Sequence, residues 1–265
     1  MLAQPIIPLL WVYGTILLQT REGVSSLDKG TVQDLKFYSE ALQEELQLYI
    51  YVPANYSPLY KYNILIASDG KDYFQLGGIT KLADELIDDY EIENLIIAFV
   101  PYKDIKDRRH KYIPSGEQHE AYLRFLAHEL VPYLDAEYAT YQMGMSRGVI
   151  GDSMAATASL MAALKYPSIF GKVILQSPYV DEDVLQAVEN FKDPGAISIY
   201  HIVGKEEDKV VTMDKTIKDF LTPNRELHNL MLNKGFSTFY EEFDGNHTWK
   251  YWKPDLRRAL IENFN

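Results

Sequence analysis

Short apolar runs alternate with helical segments along most of this chain, and that alternation constrains the fold more than any other feature. The runs YNILIAS (residues 62–68) and NLIIAFV (residues 94–100) are continuous, as in strands buried on both faces of a sheet. Between them, residues 79–90 place apolar side chains at helical spacing. The pattern predicts an α/β fold with a mostly parallel central sheet and helices on both faces.

Other segments extend the same pattern. We predict strands at residues 46–52, 62–68, 94–100, 147–151, 172–177, 197–203 and 237–243, and helices at residues 79–90, 119–138 and 154–166. Pro132 should kink the long helix because proline lacks a backbone donor. There is no internal repeat and no long linker, so residues 29–265 are predicted to form a single domain.

The first 28 residues differ from the rest, because residues 5–20 (PIIPLLWVYGTILLQT) are apolar and uncharged. This run is short for a membrane-spanning helix. No lysine or arginine precedes Arg21, whereas a secretory signal begins with basic residues. We therefore expect residues 1–28 to be a peripheral extension, with a weak signal peptide or an interfacial anchor as alternatives. The expected location is cytoplasmic, without stable membrane insertion.

Charge and composition narrow the possible partners. The formal net charge is −12, and such an acidic surface repels phosphate backbones, so nucleic acid is not an expected partner. The chain has no cysteine, which removes a cysteine nucleophile, disulfides and thiolate metal sites. No H-E-x-x-H motif occurs either, so we expect no metal site. The oligomeric state is not predicted.

The sequence GDSMA, residues 151–155, has the spacing of a nucleophile elbow, G-x-S-x-G, with Ala155 in the last position. Small residues are needed two positions before and after Ser153, because a tight strand-to-helix turn brings them into contact. The following helix would place its N-terminus at Ser153, where it favours negative charge. A simple helix-capping serine is the alternative interpretation.

A histidine suited to act as a base lies near the end of the chain. His247 follows a predicted strand within the loop sequence FDGNHTW. It lies C-terminal to Ser153, as the order serine, acid, histidine requires. The other five histidines lack this loop setting and are better explained as surface or packing residues. We therefore predict that His247 takes the proton of Ser153.

The carboxylate that would orient His247 is expected after the strand at residues 197–203. This loop reads GKEEDKV, and Glu206, Glu207 and Asp208 all compete for the role. Asp208 is the preferred candidate, with Glu207 close behind. Spacing within the loop does not decide between them.

Acyl transfer also requires N–H groups directed at the developing oxyanion. One candidate is the backbone N–H of Met154, which follows the nucleophile. The other is expected in the loop SDGKDYF, residues 68–74, where Gly70 would let the backbone of Lys71 approach a substrate. An ordinary Asp-Gly turn is the alternative interpretation of this loop.

Four segments in this order, LIASDGKDYF, GDSMAA, GKEED and GNHTWKYW, resemble the "putative esterase" branch of the α/β-hydrolase fold. That branch includes enterochelin esterases, esterase-D-like enzymes, feruloyl esterases and mycolyltransferases. The resemblance covers residues 29–265 and implies a Ser–acid–His hydrolase without metal or organic cofactor, in which Lys71 supplies an oxyanion N–H. The segment DRRHKYIP, residues 107–114, is similar to a family loop that often has glutamate where this chain has Lys111, which puts the role of that position in doubt.

The expected function is hydrolysis of a small carboxylic ester through an acyl-enzyme formed by Ser153, His247 and Asp208. A thioesterase or an acyltransferase would use the same residues. A non-catalytic binding protein on a hydrolase scaffold is the alternative from another class, and an activated serine would exclude it.

Overall fold

The computed structural model describes residues 28–212 and 215–265. Within them, eight strands form one sheet in the order β1-β2-β4-β3-β5-β6-β7-β10, and β8 and β9 form a separate hairpin. Strands β1 and β2 pair antiparallel, as do β2 and β4, and the remaining pairs in the sheet are parallel. The predicted mostly parallel α/β sheet is therefore confirmed.

The predicted strands correspond to seven of the observed ones. The observed strands are β1 Thr31–Ser39, β2 Glu44–Val52, β3 Asn63–Ser68, β4 Leu95–Val100, β5 Arg147–Asp152, β6 Lys172–Gln176, β7 Ser198–Gly204, β8 Val210–Val211, β9 Ile217–Lys218 and β10 Ser237–Phe243. The pattern missed β1, which pairs with β2 at the edge of the sheet formed by the described residues. Most of its side chains face solvent, and it has no continuous apolar run.

Helices connect the parallel strands. They are α1 Gly70–Asp72, α2 Ile79–Asp88, α3 Ile105–Tyr112, α4 His119–Phe125, α5 Val131–Glu137, α6 Met154–Lys165, α7 Glu182–Asn190, α8 Leu221–Lys234 and α9 Trp249–Phe264. A π-helical turn, Leu126–Leu130, joins α4 to α5. Pro132 lies in the first turn of α5, directly after this π-helical turn, so the long helix predicted at residues 119–138 is not a regular α-helix throughout.

The sheet separates two apolar cores. On one face, helices α4 to α8 pack residues such as Leu126, Leu160 and Leu227 against the strands. On the other face, α2 and α9 contribute Leu86 and Leu256 to a second cluster. Because both faces are covered, β3, β4 and β5 are buried at every position.

The predicted N-terminal extension, residues 1–28, lies outside the described residues except for Asp28. In the part of the chain that the structure describes, no helix combines the length and the apolar character needed to cross a membrane.

Candidate active site

Ser153 lies in a strained turn between β5 and α6. Its backbone has φ 55° and ψ −124°, a conformation that is costly for a residue other than glycine. A Cβ on Gly151 would lie 2.2 Å from the carbonyl carbon of Ala155, so only glycine fits two positions before the serine. Ala155 itself is fully buried, which shows that the turn accommodates its methyl group. The structure therefore has the strand-turn-helix geometry of a nucleophile elbow.

Met154 is the first residue of α6, and its backbone N–H has no acceptor within the helix. The Ser153 N–H is used differently, because it donates to the carbonyl of Gln176 on β6 over 2.9 Å. The Met154 N–H at the start of α6 thus remains available to negative charge beside the serine.

His247 lies in the loop between β10 and α9, and a buried carboxylate holds its ring. Its Nδ1 is 2.7 Å from Oε2 of Glu207, a residue with no solvent exposure. An ionised carboxylate can only accept, so Nδ1 carries the proton and Nε2 is left free to accept one. The ring packs against Phe220 and Trp252, with ring centroids 4.2 Å and 4.8 Å away.

The second oxygen of Glu207 is also fully engaged. Oε1 accepts from the hydroxyl of Ser177 over 2.7 Å and from the backbone N–H of Gly204 over 2.8 Å. The Ser177 hydroxyl accepts in turn from the indole N–H of Trp252 over 3.0 Å. These contacts hold the carboxylate in place beside the imidazole.

The preference for Asp208 as the partner of His247 is wrong. Both residues belong to the short 3₁₀ turn Glu207–Lys209, but Glu207 is buried against His247 whereas Asp208 is exposed. Adjacent residues on such a turn point in different directions, so only one of them can face the histidine. Glu207 was the second candidate predicted from the sequence.

Ser153, Met154 and His247 line one cavity of about 380 Å³. Much of its wall is apolar or aromatic, from residues that include Tyr102, Ile105, Ile113, Tyr179, Phe220 and Trp249. The β8–β9 hairpin, which the sequence pattern did not predict, contributes Val210, Val211 and Lys218 to the rim. The cavity therefore presents a serine and a carboxylate-bound histidine to a small, partly apolar molecule.

A buried ion pair lies beside the elbow. Nε of Arg108 donates to both carboxylate oxygens of Asp69, over 3.0 Å and 2.9 Å, and the Arg108 side chain also reaches the backbone carbonyl of Asp152. Asp69 adopts a left-handed conformation with φ 56°. The sequence pattern predicts no role for Arg108, because a pair separated by 39 positions leaves no local pattern.

The loop predicted to supply the second oxyanion donor forms α1. Gly70 is required because a Cβ there would lie 2.4 Å from the backbone nitrogen of Val100. The close packing of two backbone segments therefore explains this glycine better than an Asp-Gly turn does. Lys71 has an exposed side chain and is not among the cavity-lining residues, although Asp72 is. The role of the Lys71 N–H stays a prediction.

Lys111 has a structural role. It is buried and bridges Glu44, at 2.5 Å, and Asp107, at 2.6 Å. It does not line the cavity.

Within residues 28–212 and 215–265, no group of three histidine, aspartate or glutamate side chains is arranged to hold a metal ion.

The sheet order and the elbow define an α/β-hydrolase. The chain belongs to the family described as "Putative esterase", whose family model matches residues 39–263. It is thus a carboxylic ester hydrolase, and the family resemblance predicted from the four sequence segments is confirmed.

Three similar proteins illustrate the relationship. The uncharacterized protein YjcH of Bacillus subtilis (strain 168) is 53% identical over 231 residues, which cover 87% of this chain and 96% of YjcH. A ferulic acid esterase structure superimposes with a TM-score of 0.75 at 17% identity, covering 91% of this chain and 99% of its own. The enterobactin esterase FES of Shigella flexneri gives a TM-score of 0.76 at 17% identity, covering 88% and 58% respectively. At such identities the two structures support the fold alone.

Proposed function

We propose that Ser153, His247 and Glu207 form the catalytic triad of this esterase. His247 removes the proton from Ser153 through Nε2, and the serine oxygen attacks the ester carbonyl. His247 then protonates the leaving alcohol, and water activated by the same histidine releases the acyl group. Glu207 holds the proton-bearing Nδ1 and stabilises the imidazolium that forms during each half-reaction.

The observation that carries this proposal is the 2.7 Å contact between His247 and Glu207 beside the cavity that Ser153 also lines. A buried carboxylate on Nδ1 can stabilise the imidazolium that forms when His247 accepts a proton. Combined with a strained serine at a helix N-terminus, it indicates nucleophilic catalysis.

For the oxyanion, we propose the backbone N–H of Met154 and a second donor from the segment that contains Lys71. The first rests on the position of Met154 at the start of α6. The second rests on sequence resemblance, and Lys71→Pro, which removes its N–H, would test it. A loss of about 100-fold in kcat would support the role, whereas an unchanged kcat in a folded variant would exclude it.

The substrate we propose is a small-molecule ester, since the cavity of about 380 Å³ accepts a molecule of modest size. A thioester or a transfer to an alcohol would use the same triad, so a panel of esters, thioesters and acceptor alcohols must accompany the first assay. The cytoplasmic location stays a prediction, to be tested by cell fractionation.

A fluorophosphonate probe tests the triad directly, because it reacts with activated serines. Peptide mass spectrometry should find the label on Ser153, and Ser153→Ala should abolish it. Ser159→Ala is the matched control, since Ser159 lies in α6 but does not line the cavity. Ester cleavage should fall by about 10⁴-fold in Ser153→Ala.

Labelling should also become much slower in His247→Ala. Absence of the label from Ser153 in folded protein would refute the catalytic proposal and favour a binding function on the same scaffold.

A further inference from the structure

The β8–β9 hairpin brings a lysine to the cavity that holds the proposed triad. Lys218 lies on β9, is partly exposed, and lines the same cavity as Ser153 and His247. Its Nζ lies 4.5 Å from the ring centroid of Tyr179 and donates to the Tyr179 hydroxyl over 3.3 Å. Because Tyr179 also lines the cavity, this contact places the ammonium at the cavity wall.

Tyr179 is held beside the proposed nucleophile. Its backbone N–H donates to the carbonyl of Ser153 over 3.1 Å. Its ring packs against Phe220, with centroids 6.2 Å apart, and the Phe220 ring in turn contacts His247. The Lys218 ammonium is therefore separated from Ser153 and His247 by single packed side chains.

The ammonium and the phenol both have hydrogen-bond donors to spare. Nζ of Lys218 carries three N–H groups, and its polar contact among the described residues is with the neutral Tyr179 hydroxyl. The Tyr179 oxygen accepts this bond, and its own proton has no acceptor in the described part of the chain. The two donor atoms are close enough for one carboxylate to contact both, with a charge-assisted bond from Lys218.

The carboxyl groups of the cavity wall do not neutralise this cation. Asp72 and Asp152 both line the cavity, but neither is bonded to Lys218, and burial raises the pKa of each. A raised pKa favours the neutral carboxyl group. Arg108, another cation of the wall, differs from Lys218 because its guanidinium is bonded to the carboxylate of Asp69.

We propose that Lys218 and Tyr179 bind a carboxylate of the substrate, so that the enzyme prefers esters that carry a carboxylate near the ester group. This inference rests on the proposed function, because it assigns specificity at the same site. The net charge of −12 opposes the approach of anions in general, so a local cation is needed to hold one. The aromatic and aliphatic wall contacts the carbon chain between the two groups.

The test uses two pairs of esters in which a carboxylate is compared with a methyl ketone of similar shape. On the acyl side, monomethyl succinate is compared with methyl 4-oxopentanoate. On the alcohol side, 3-acetoxypropanoate is compared with 4-acetoxybutan-2-one. The measured quantity is the ratio of kcat/KM for the carboxylate ester to that for the ketone ester near neutral pH, and it should exceed 1 in at least one pair.

Three variants identify the groups responsible for this ratio. Lys218→Met removes the charge but keeps the length of the side chain, so it should lower the ratio about 10-fold. Lys218→Arg keeps the cation and should leave the ratio within about threefold. Tyr179→Phe removes the neutral donor and should lower the ratio about threefold.

Lys205→Met is the matched control, because it makes the same change in net charge at a surface lysine that pairs with Asp244 and does not line the cavity. The ratio should be the same in this variant as in the wild type. A general loss of activity cancels in every ratio.

The outcomes distinguish this inference from the proposed function. The inference is overturned if the fluorophosphonate labels Ser153 but the ratio is unchanged in Lys218→Met, or falls equally in Lys205→Met. It is also overturned if the labelled wild type cleaves neither carboxylate ester, or prefers the ketone ester in both pairs. Failure of the label at Ser153 overturns the proposed function instead.

Discussion

Glu207 and Asp152 are two buried carboxyl groups at the same cavity, and their surroundings are opposite. Both oxygens of Glu207 are hydrogen-bonded, to His247 on one side and to Ser177 and Gly204 on the other. Asp152 has an unpartnered oxygen and a raised pKa. A carboxylate whose hydrogen bonds are completed by the protein can position a catalytic group, whereas a buried carboxyl group that lacks such partners is favoured in its neutral, protonated form.

The largest expected effect follows from removing the charge that Glu207 presents to His247. Glu207→Gln should lower kcat by about 10³- to 10⁴-fold, because an amide neither stabilises the imidazolium nor enforces the same tautomer. Steady-state kinetics on an ester cleaved by the wild type would measure this. Asp208→Asn is the matched control and should leave kcat within about twofold, since Asp208 is exposed. A larger loss in Asp208→Asn than in Glu207→Gln would reverse the assignment.

The next effect concerns the ion pair next to Asp152. Arg108→Met would leave the buried carboxylate of Asp69 without its partner, so the free energy of unfolding should fall by about 3–5 kcal/mol. Arg225→Met is the control, because Arg225 pairs with Glu242 at the surface and should cost only about 0–1 kcal/mol. Urea unfolding measures both. Equal losses of unfolding free energy in the two variants would show that burial does not increase the contribution of the Arg108–Asp69 pair to stability.

The third prediction is a pH dependence that distinguishes the two carboxyl groups. The pKa of Asp152 is raised in the folded state, so above about pH 4 the folded protein retains a proton that the unfolded chain has released. The free energy of unfolding therefore decreases as pH rises from there through the folded-state pKa, by up to about 1.4 kcal/mol per pH unit.

Asp152→Asn removes this contribution, so its stability relative to wild type should increase with pH in the same window. Urea unfolding at several pH values would measure the difference between the variant and the wild type. Parallel stability curves would show that Asp152 is not the group responsible.

The smallest expected effect concerns the Ser177 hydroxyl, which donates a hydrogen bond to Glu207. Ser177→Ala removes the hydroxyl between Glu207 and Trp252 and should cost about 1 kcal/mol of stability. Ser159→Ala is a matched control, because the buried Ser159 hydroxyl has no partner among the described residues and its loss should cost almost nothing. Thermal or urea unfolding would compare them. An equal cost would indicate that cavity formation, not the hydrogen bond, dominates.

Local pattern was sufficient for the scaffold and for two of the proposed catalytic residues. Buried parallel strands are continuous apolar runs, so β3 to β7 could be recognised one at a time. The elbow at Ser153 depends on residues within two positions of the serine. His247 could be found because a strand end, a glycine loop and a helix start adjoin it in the chain.

Only the tertiary structure decided which carboxylate meets the histidine and which remains unpartnered. Glu207 and Asp208 are neighbours with the same chemistry, and the direction of the 3₁₀ turn relative to the loop between β10 and α9 separates them. Arg108 meets Asp69 across 39 positions, and this pairing leaves Asp152 without a cation. Such contacts depend on where distant segments pack, because hydrogen bonds and desolvation act over a few ångströms in space and not along the sequence.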